Sequence, residues 1–220
     1  MAHLQEMPLF PLHTVLFPGA ALQLNVFEDR YKGMIRHCID FETPFGVVLI
    51  RSGSEVGGPA EPYMVGTAAR VVQVYELAEG KLDVKVEGMS RIRIRKLDTD
   101  GPCLVGHVEP IADDSFDESQ LESLVDRASH DFEQLLRLAI GRSDFSVEVR
   151  SGGDPSAFSF LIASYLPLED LMKQKLLEET DPVQRLTELI DLMEAFIREA
   201  PSRKFTRLTS EQLSQWMSEN

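Results

Sequence analysis

The segment Met7–Ile39 constrains the fold most strongly, because strand, turn and helix signals follow one another within it. Pro8 and Pro11 flank two large apolar residues. Proline fixes its own φ and biases the residue before it toward extended conformations, which predicts an edge strand here. Pro18 followed by Gly19 predicts a turn, since proline presets the first central φ and glycine accepts a positive φ at the second.

The apolar period changes in the second half of this segment. Leu22, Leu24 and Val26 alternate with polar residues, which is typical of a strand with one buried face. The acidic pair Glu28 and Asp29 then suits the first turn of a helix. The predicted helix carries one apolar stripe, formed by Tyr31, Met34, Ile35, Cys38 and Ile39.

Three short motifs mark the same segment: Phe10-Pro11-Leu12, Phe17-Pro18-Gly19 and Phe27-Glu28-Asp29-Arg30-Tyr31. Their order resembles the amino-terminal substrate-binding domain of Lon-type ATP-dependent proteases. The family usually has proline where Asp29 stands, and an acid suits that helix start almost as well. Other family-like positions are Phe45-Gly46-Val47, Gly66-Thr67-Ala68-Ala69-Arg70, Gly88 with Arg91, and Lys173–Glu178. The resemblance implies a PUA-like pseudo-barrel over most of residues 7–110, followed by helices.

Further strand patterns follow the first helix. We predict a buried strand at Phe45–Ile50, a hairpin from Met64–Leu77 into Lys81–Glu87, a break at Gly88-Met89-Ser90, and strands around Ile92 and at Leu104–Val108. The stretch Arg51–Pro62 is rich in glycine and proline without a period, which predicts a mobile loop. Together these patterns indicate a mostly antiparallel β barrel or sandwich with one inserted helix.

The period becomes helical beyond Asp113, so we predict a β domain at 1–113, a helical bundle domain at 114–200 and a tail at 201–220. A stripe from Leu121 to Ala139 predicts a long helix. The pairs Asp154-Pro155 and Asp181-Pro182 each predict a helix start, with aspartate as the cap and proline at the first helical position. A shorter helix is predicted at Leu168–Glu178. In the tail, Thr209 as a cap and Trp216 as an anchor fit one or two further helical turns, and a loose tail is the alternative. The predicted fold class is therefore α+β.

Charge and cysteine content limit the function classes. The net charge is −14, and it is uneven: residues 1–110 carry 11 basic and 14 acidic side chains, whereas residues 111–220 carry 11 and 22. Such acidity argues against a general nucleic-acid or anionic-membrane binder. Two cysteines are too few for a disulfide framework, and neither a signal peptide nor a membrane span is recognisable. We expect a cytoplasmic protein without a membrane partner.

No pattern of catalytic residues stands out in the sequence. Gly101–His107 has the two glycines of a phosphate-binding loop but histidine in place of its lysine. His37 and Cys38 are adjacent on a predicted helix and therefore point about 100° apart, so they cannot pair with each other. We expect no enzyme activity, no cofactor and no metal site, and neither an ATPase nor a Ser-Lys protease module.

The resemblance therefore implies a non-catalytic module that binds unfolded or peptide-like protein segments, either as an ATP-independent adaptor that serves a protease or chaperone or as a holdase for exposed apolar segments. Such a module needs an exposed apolar patch. We expect it between barrel and bundle, gated by the loop Arg51–Pro62. The candidate walls are Phe17, Phe27, Tyr31, Tyr63 and Met64.

An RNA-binding module is the alternative. Strand alternation places Arg91, Arg93 and Arg95 on one face, and PUA-like folds include RNA binders. No aromatic stacking platform accompanies these arginines, and in an acidic protein they pair more often with carboxylates. An uncharacterised hydrolase, based on the scattered histidines and cysteines, is a third hypothesis.

Overall fold

The computed structural model describes residues 4–57, 60–115, 118–140 and 154–199. These residues form two compact units. The first extends to Asp114 and also includes Phe160–Thr180, whereas the second comprises Ser115–Ser159 and the chain from Asp181 onward. The domain bounds expected from composition, 1–113 and 114–200, stay predictions, and the segment Phe160–Thr180 groups with the sheet. The helical turn predicted around Thr209 and Trp216 lies outside the described residues.

The first unit is built on a mostly antiparallel sheet. Its strands are β1 Gln5–Leu12, β2 Ala21–Val26, β3 Phe45–Gly53, β4 Ala60–Pro62, β5 Val65–Glu76, β6 Leu82–Asp98 and β7 Val105–Pro110. Strands β1, β7, β6, β5 and β3 are hydrogen-bonded in that order, and β3 pairs back with β1 in parallel, so the sheet closes into a barrel. Helix α1, Asp29–Asp40, is inserted between β2 and β3. The predicted α+β class is confirmed.

Strand β1 is not the predicted edge strand. Its first half, Gln5–Pro8, pairs with β7, and its second half, Leu9–Leu12, pairs with β3. Because each half of β1 is paired on one side only, it tolerates a proline, which lacks a backbone donor. The strand therefore accommodates Pro8 and Pro11 and still connects β7 with β3.

The same change of partners leaves one opening in the barrel wall. Strand β6 pairs with β2 through its first residues, 82–87, and with β7 only from Ile92 onward. The second half of β1 pairs with β3 and not with β2. We call this opening the β1–β2 gap and define it by Phe10–Leu12 on one side and Ala21–Val26 on the other.

Helix α1 packs into the core beside this gap. Its buried residues are Tyr31, Met34, Ile35 and Cys38, in one cluster with Phe10, Leu12, Leu24 and Val26 from the two strands. The rings of Phe10 and Tyr31 stack with 4.2 Å between their centroids. The predicted stripe is confirmed except at Ile39, which is exposed because it lies next to the last residue of the helix.

Two predicted interruptions of the sheet are wrong. Strand β3 continues to Gly53 and pairs with β4, so much of the predicted loop Arg51–Pro62 is strand. Strand β6 runs through Gly88 with only a register shift at Met89. A Cβ atom at Gly88 would lie 2.2 Å from the backbone oxygen of Phe17. This glycine therefore permits a close backbone approach and does not end a strand.

The last helix of the first unit is α4, Asp170–Glu178, which begins two residues later than predicted. Gln174 anchors it to the sheet. The side-chain amide of this buried residue donates to the carbonyl of Val65 at 3.0 Å and to Glu178 at 2.7 Å.

The second unit contains helices α2, Glu118–Ile140, and α5, Pro182–Glu199, and the first residues of α3, Pro155–Tyr165. The predicted caps are present, since carboxylate oxygens of Asp154 and Asp181 accept backbone N–H bonds from the first turns of α3 and α5. Arg185 lies fully buried on α5 and donates to the hydroxyls of Ser159 and Ser156. No helix in the described ranges has the length and hydropathy of a membrane span.

Candidate functional site

A cavity of about 350 Å³ opens at the β1–β2 gap. Its lining comes from the end of β1 and the residues after it, from β2, from the start of α1 and from the turn before β4. These residues are Phe10, Leu12, His13, Thr14, Leu22, Gln23, Leu24, Asn25, Val26, Phe27, Glu28, Tyr31, Glu55 and Val56.

The cavity follows the backbone of β2. Side chains of a strand alternate between its two faces, so a cavity on one face would contact every second residue. Here every residue from Leu22 to Val26 contributes to the lining. The cavity therefore runs along the edge of the strand, where main-chain groups and both sets of side chains are within reach.

The turn before β4 is tied to the cavity by two hydrogen bonds. The amide of His13 donates to Glu55 Oε2 at 3.0 Å, and the amide of Gly57 donates to Glu28 Oε2 at 3.3 Å. At the rim, the side chains of Phe27 and Val56 are 48% and 52% exposed. An apolar rim beside a buried aromatic floor is thus held in place by backbone amides.

The cavity carries negative charge. Glu28 and Glu55 are its acidic lining residues, and no lysine or arginine is among the described residues that line it. Glu28 forms an ion pair with Arg30 at 2.9 Å, whereas Glu55 has no ion-pair partner in the described part of the chain. Burial raises the pKa of the Tyr31 hydroxyl, opposed by the charge of Arg30, and the carboxylates of Glu28 and Glu55 raise it further. Tyr31 therefore stays a neutral hydrogen-bonding phenol at the cavity floor.

The structure brings together two of the five residues predicted as binding walls, Phe27 and Tyr31. Phe17 is 1% exposed and stacks against Phe160 with 6.0 Å between ring centroids, so it presents no accessible wall. Tyr63 is half-buried and Met64 is 42% exposed, and neither lines the cavity.

The sequence did not single out Glu55, Val56 or the backbone of β2 as parts of the site. Their proximity depends on which strands pair, and pairing partners are far apart in sequence. The loop Arg51–Pro62 was expected to gate a site between barrel and bundle, which stays a prediction, and its residues Glu55 and Val56 line the cavity of the sheet unit. A patch between barrel and bundle stays a prediction, because the cavity belongs to the sheet unit.

The cysteines have the properties of packed side chains. Burial raises the pKa of the Cys38 and Cys103 thiols, which keeps both protonated at neutral pH. His37 points away from the buried Cys38, since it is exposed and its ring lies 4.5 Å from that of Phe41. Among the described residues, no group of three His, Cys, Asp or Glu side chains is placed to hold a metal ion.

The predicted arginine face is wrong at its first member. Arg91 is 3% exposed, and its guanidinium donates to the carbonyls of Leu177 at 3.0 Å and Glu179 at 2.6 Å and pairs with Asp113. It also lies over the ring of Phe160, 5.2 Å from the centroid. The side of β6 that carries Arg91 is covered by the helical segment of the same unit, and a register shift against β7 at Arg95 interrupts the alternation.

The other two arginines do not restore a phosphate-binding surface. Arg95 is exposed and donates from Nε to Glu109 at 2.9 Å, so its charge is balanced. Arg93 is half-buried. With Arg91 enclosed, the three residues do not form one accessible basic stripe, and the RNA-binding alternative has no support in the structure.

Comparison with known proteins places the cavity in a family context. The family model for the ATP-dependent protease La (LON) substrate-binding domain matches residues 6–195. The chain belongs to this family. The resemblance of the sequence motifs is confirmed, and the cavity lies within the matched part of this LON substrate-binding domain.

Curated relatives are considerably longer. The LON substrate-binding domain is similar to Lon protease of Escherichia coli strain K12, with 29% identity over 195 residues that cover 87% of this chain and 25% of that protein. It is also similar to Lon protease 2 of Myxococcus xanthus, with 28% identity over 193 residues, covering 86% and 23%. The chain thus spans about a quarter of the length of these relatives.

Solved structures agree with the fold. The crystal structure of a Lon N-terminal domain protein from Xanthomonas campestris is 30% identical, with a TM-score of 0.61, covering 85% of this chain and 98% of that one. The N-terminal domain of Mycobacterium avium complex Lon protease gives a TM-score of 0.64 at 20% identity, covering 86% and 98%. The second likeness supports the fold alone.

Proposed function

We propose that this chain is a non-catalytic module that binds unfolded or peptide-like protein segments in the cavity at the β1–β2 gap. One observation carries the proposal: in a domain of a substrate-binding family, a cavity with an aromatic floor and an exposed apolar rim lies directly beside strand backbone. In this role the protein acts as a cytoplasmic adaptor that hydrolyses no ATP and hands bound segments to a protease or chaperone.

The dimensions and lining of the cavity fit this role. Its volume of about 350 Å³ lies within the range of about 300–1,000 Å³ that ligand pockets occupy. Phe10, Leu24 and Tyr31 supply buried apolar surface, while Phe27 and Val56 offer side chains that an incoming segment would cover. Burial of apolar surface contributes about 25 cal/mol per Å², so a single anchored side chain provides measurable affinity.

A binding measurement with two matched variants tests the proposal. The probe is a fluorescein-labelled synthetic nonapeptide of alternating leucine and threonine with lysine at both ends, followed by fluorescence anisotropy. Phe27→Ser removes an apolar rim side chain, and we expect roughly tenfold weaker binding, since full burial of a phenylalanine contributes about 1.5–3 kcal/mol and only the exposed half of Phe27 remains to be covered.

Phe41→Ser is the control for this measurement. Phe41 is 66% exposed, lies just beyond the end of α1 and does not line the cavity, so its loss leaves the affinity unchanged. Absence of peptide binding by the unmodified protein would overturn the proposed function. Equal effects of the two substitutions would show that the peptide binds elsewhere on the molecule.

A further inference from the structure

Strand β2 has one free edge. It pairs with β6 in regular antiparallel register from Ala21 opposite Glu87 to Val26 opposite Leu82. No other strand in the described residues pairs with β2. The opposite edge is the one along which the cavity runs.

The ladder also indicates which main-chain groups are free. The amide of Gly88 donates to the carbonyl of Ala20 at 2.9 Å, and hydrogen-bonded pairs alternate with non-bonded pairs in an antiparallel ladder. Leu22 and its alternate neighbours therefore bond to β6. The N–H and C=O groups of Ala21, Gln23 and Asn25 point away from β6, toward the unpaired edge.

A second free edge in the sheet is protected, and the contrast favours β2 over it as the receptive edge. The outer part of β5, Arg70–Glu76, pairs only with β6. It carries a bulge at Val72, and Arg36 of α1 bonds to Glu76 at 3.5 Å. Bulges and covering elements are the usual means of blocking edge pairing. The six residues of β2 contain neither a bulge nor a proline.

The charge beside this edge selects the occupant. Glu55 is the lining carboxylate without an ion-pair partner in the described chain, and it lies with Phe10 and Tyr31 around one cavity. Opposite charge across an interface favours association and fixes register. The chemistry therefore suits an extended segment that combines apolar side chains with a nearby lysine or arginine.

We propose that the bound segment adds to the sheet as a strand along β2. Its main chain pairs with the outward N–H and C=O groups of Ala21, Gln23 and Asn25, an apolar side chain enters the cavity, and a basic side chain lies beside Glu55. This inference rests on the proposed function and specifies how the same site recognises polypeptide: through backbone hydrogen bonds, which every sequence can make, with an added preference for basic flanks.

N-methylated peptides test the inference, because N-methylation removes backbone donors from the peptide without changing its side chains. Two versions of the nonapeptide are compared with the unmodified one, each methylated at alternate residues of opposite parity. An added strand directs only every second N–H toward β2. We expect one version to bind at least tenfold more weakly and the other to keep its affinity within about twofold, since each lost hydrogen bond weakens binding by about fivefold.

A protein variant gives the reciprocal test. Gln23→Pro removes one outward N–H, and an edge position tolerates proline. The side chain of Gln23 donates to Asp83 at 2.6 Å, so Gln23→Ala is the reference and the effect of proline is the difference between the two variants. We expect Gln23→Pro to bind about fivefold more weakly than Gln23→Ala. Circular dichroism establishes whether both variants are folded.

The outcomes separate the two proposals. If the unmodified peptide does not bind, the proposed function fails. If it binds but both methylated versions bind equally well, strand addition is wrong while the proposed function stands, and this result does not depend on the folding of any variant. A peptide with glutamate in place of both lysines is expected to bind at least fivefold more weakly, and equal binding would overturn the charge preference.

Discussion

Replacing Arg91 by methionine tests whether the helical segment of the first unit is held to the sheet by one buried guanidinium. The substitution keeps a long unbranched side chain but removes every donor. The carbonyls of Leu177 and Glu179 then lose their donor, and Asp113, whose side chain is 10% exposed, loses its counter-charge. Breaking a buried ion pair by removing one partner costs about 3–5 kcal/mol.

A second substitution separates the charge effect from the loss of packing. In the double variant Arg91→Met with Asp113→Asn, no uncompensated carboxylate remains. We expect it to recover about 1–3 kcal/mol of the loss, which is typical of coupling between contacting residues. The two carbonyls still lack their donor, so recovery is partial.

The assay is native-state hydrogen exchange, read by mass spectrometry on peptides that cover α4 and β6. The matched control is Arg95→Met, the same change on the same strand. Arg95 is exposed and bonds to Glu109, and exposed pairs contribute only about 0–1 kcal/mol. If Arg91→Met destabilises α4 no more than Arg95→Met does, the assignment of Arg91 as the buried anchor is wrong.

Three further outcomes depend on single contacts. Gly88→Ala is expected to lower the free energy of unfolding by about 1–3 kcal/mol, because the backbone oxygen of Phe17 lies 2.2 Å from the added carbon. The control is Gly101→Ala, where the nearest atom lies 3.5 Å from the added carbon and the expected change is less than about 0.5 kcal/mol. Equal shifts of Tm in thermal unfolding would contradict this expectation. Gln174→Leu leaves the carbonyl of Val65 without its donor and is expected to lower the free energy of unfolding by about 1–3 kcal/mol. An unchanged midpoint of urea denaturation would refute this hydrogen bond. Cys38 is buried and burial raises its pKa, so iodoacetamide is expected to alkylate it far more slowly in the folded than in the unfolded chain at about pH 8. Equal alkylation rates, measured by mass spectrometry, would contradict its burial.

The features that the sequence predicted correctly depend on neighbouring residues. The turn at Pro18 and Gly19 forms, with a φ of 77° at the glycine. The helix start after Glu28 and the cap at Asp154 also formed as expected, since each involves groups within about one turn of the chain.

The features that the sequence missed depend on contacts between distant segments. Gly88 was interpreted as a strand break, but the space it leaves is taken by the carbonyl of Phe17. Arg91 was interpreted as surface because its strand alternates, yet a helical segment much later in the chain covers it. Arg185 lies on the seam of α5 and is buried because two serine hydroxyls accept its hydrogen bonds, which no local pattern reveals.

The candidate site also has a part that local sequence predicted and a part that depends on distant contacts. Phe27 and Tyr31 were selected because they lie near predicted loops, and both line the cavity. The free edge of β2 was not predicted. Alternation shows that a strand has one buried face, but whether its two edges are paired is decided by the order of strands in the sheet.

A residue-resolved NMR titration with the unmodified nonapeptide tests the central claim most directly. If the peptide adds to β2, amide shifts will concentrate at Ala21–Phe27 and at Glu55–Gly57, and the amides of Gln23 and Asn25 will become protected from solvent exchange. Shifts that spare β2, or that concentrate at the β5 edge Arg70–Glu76, would contradict binding at the β1–β2 gap.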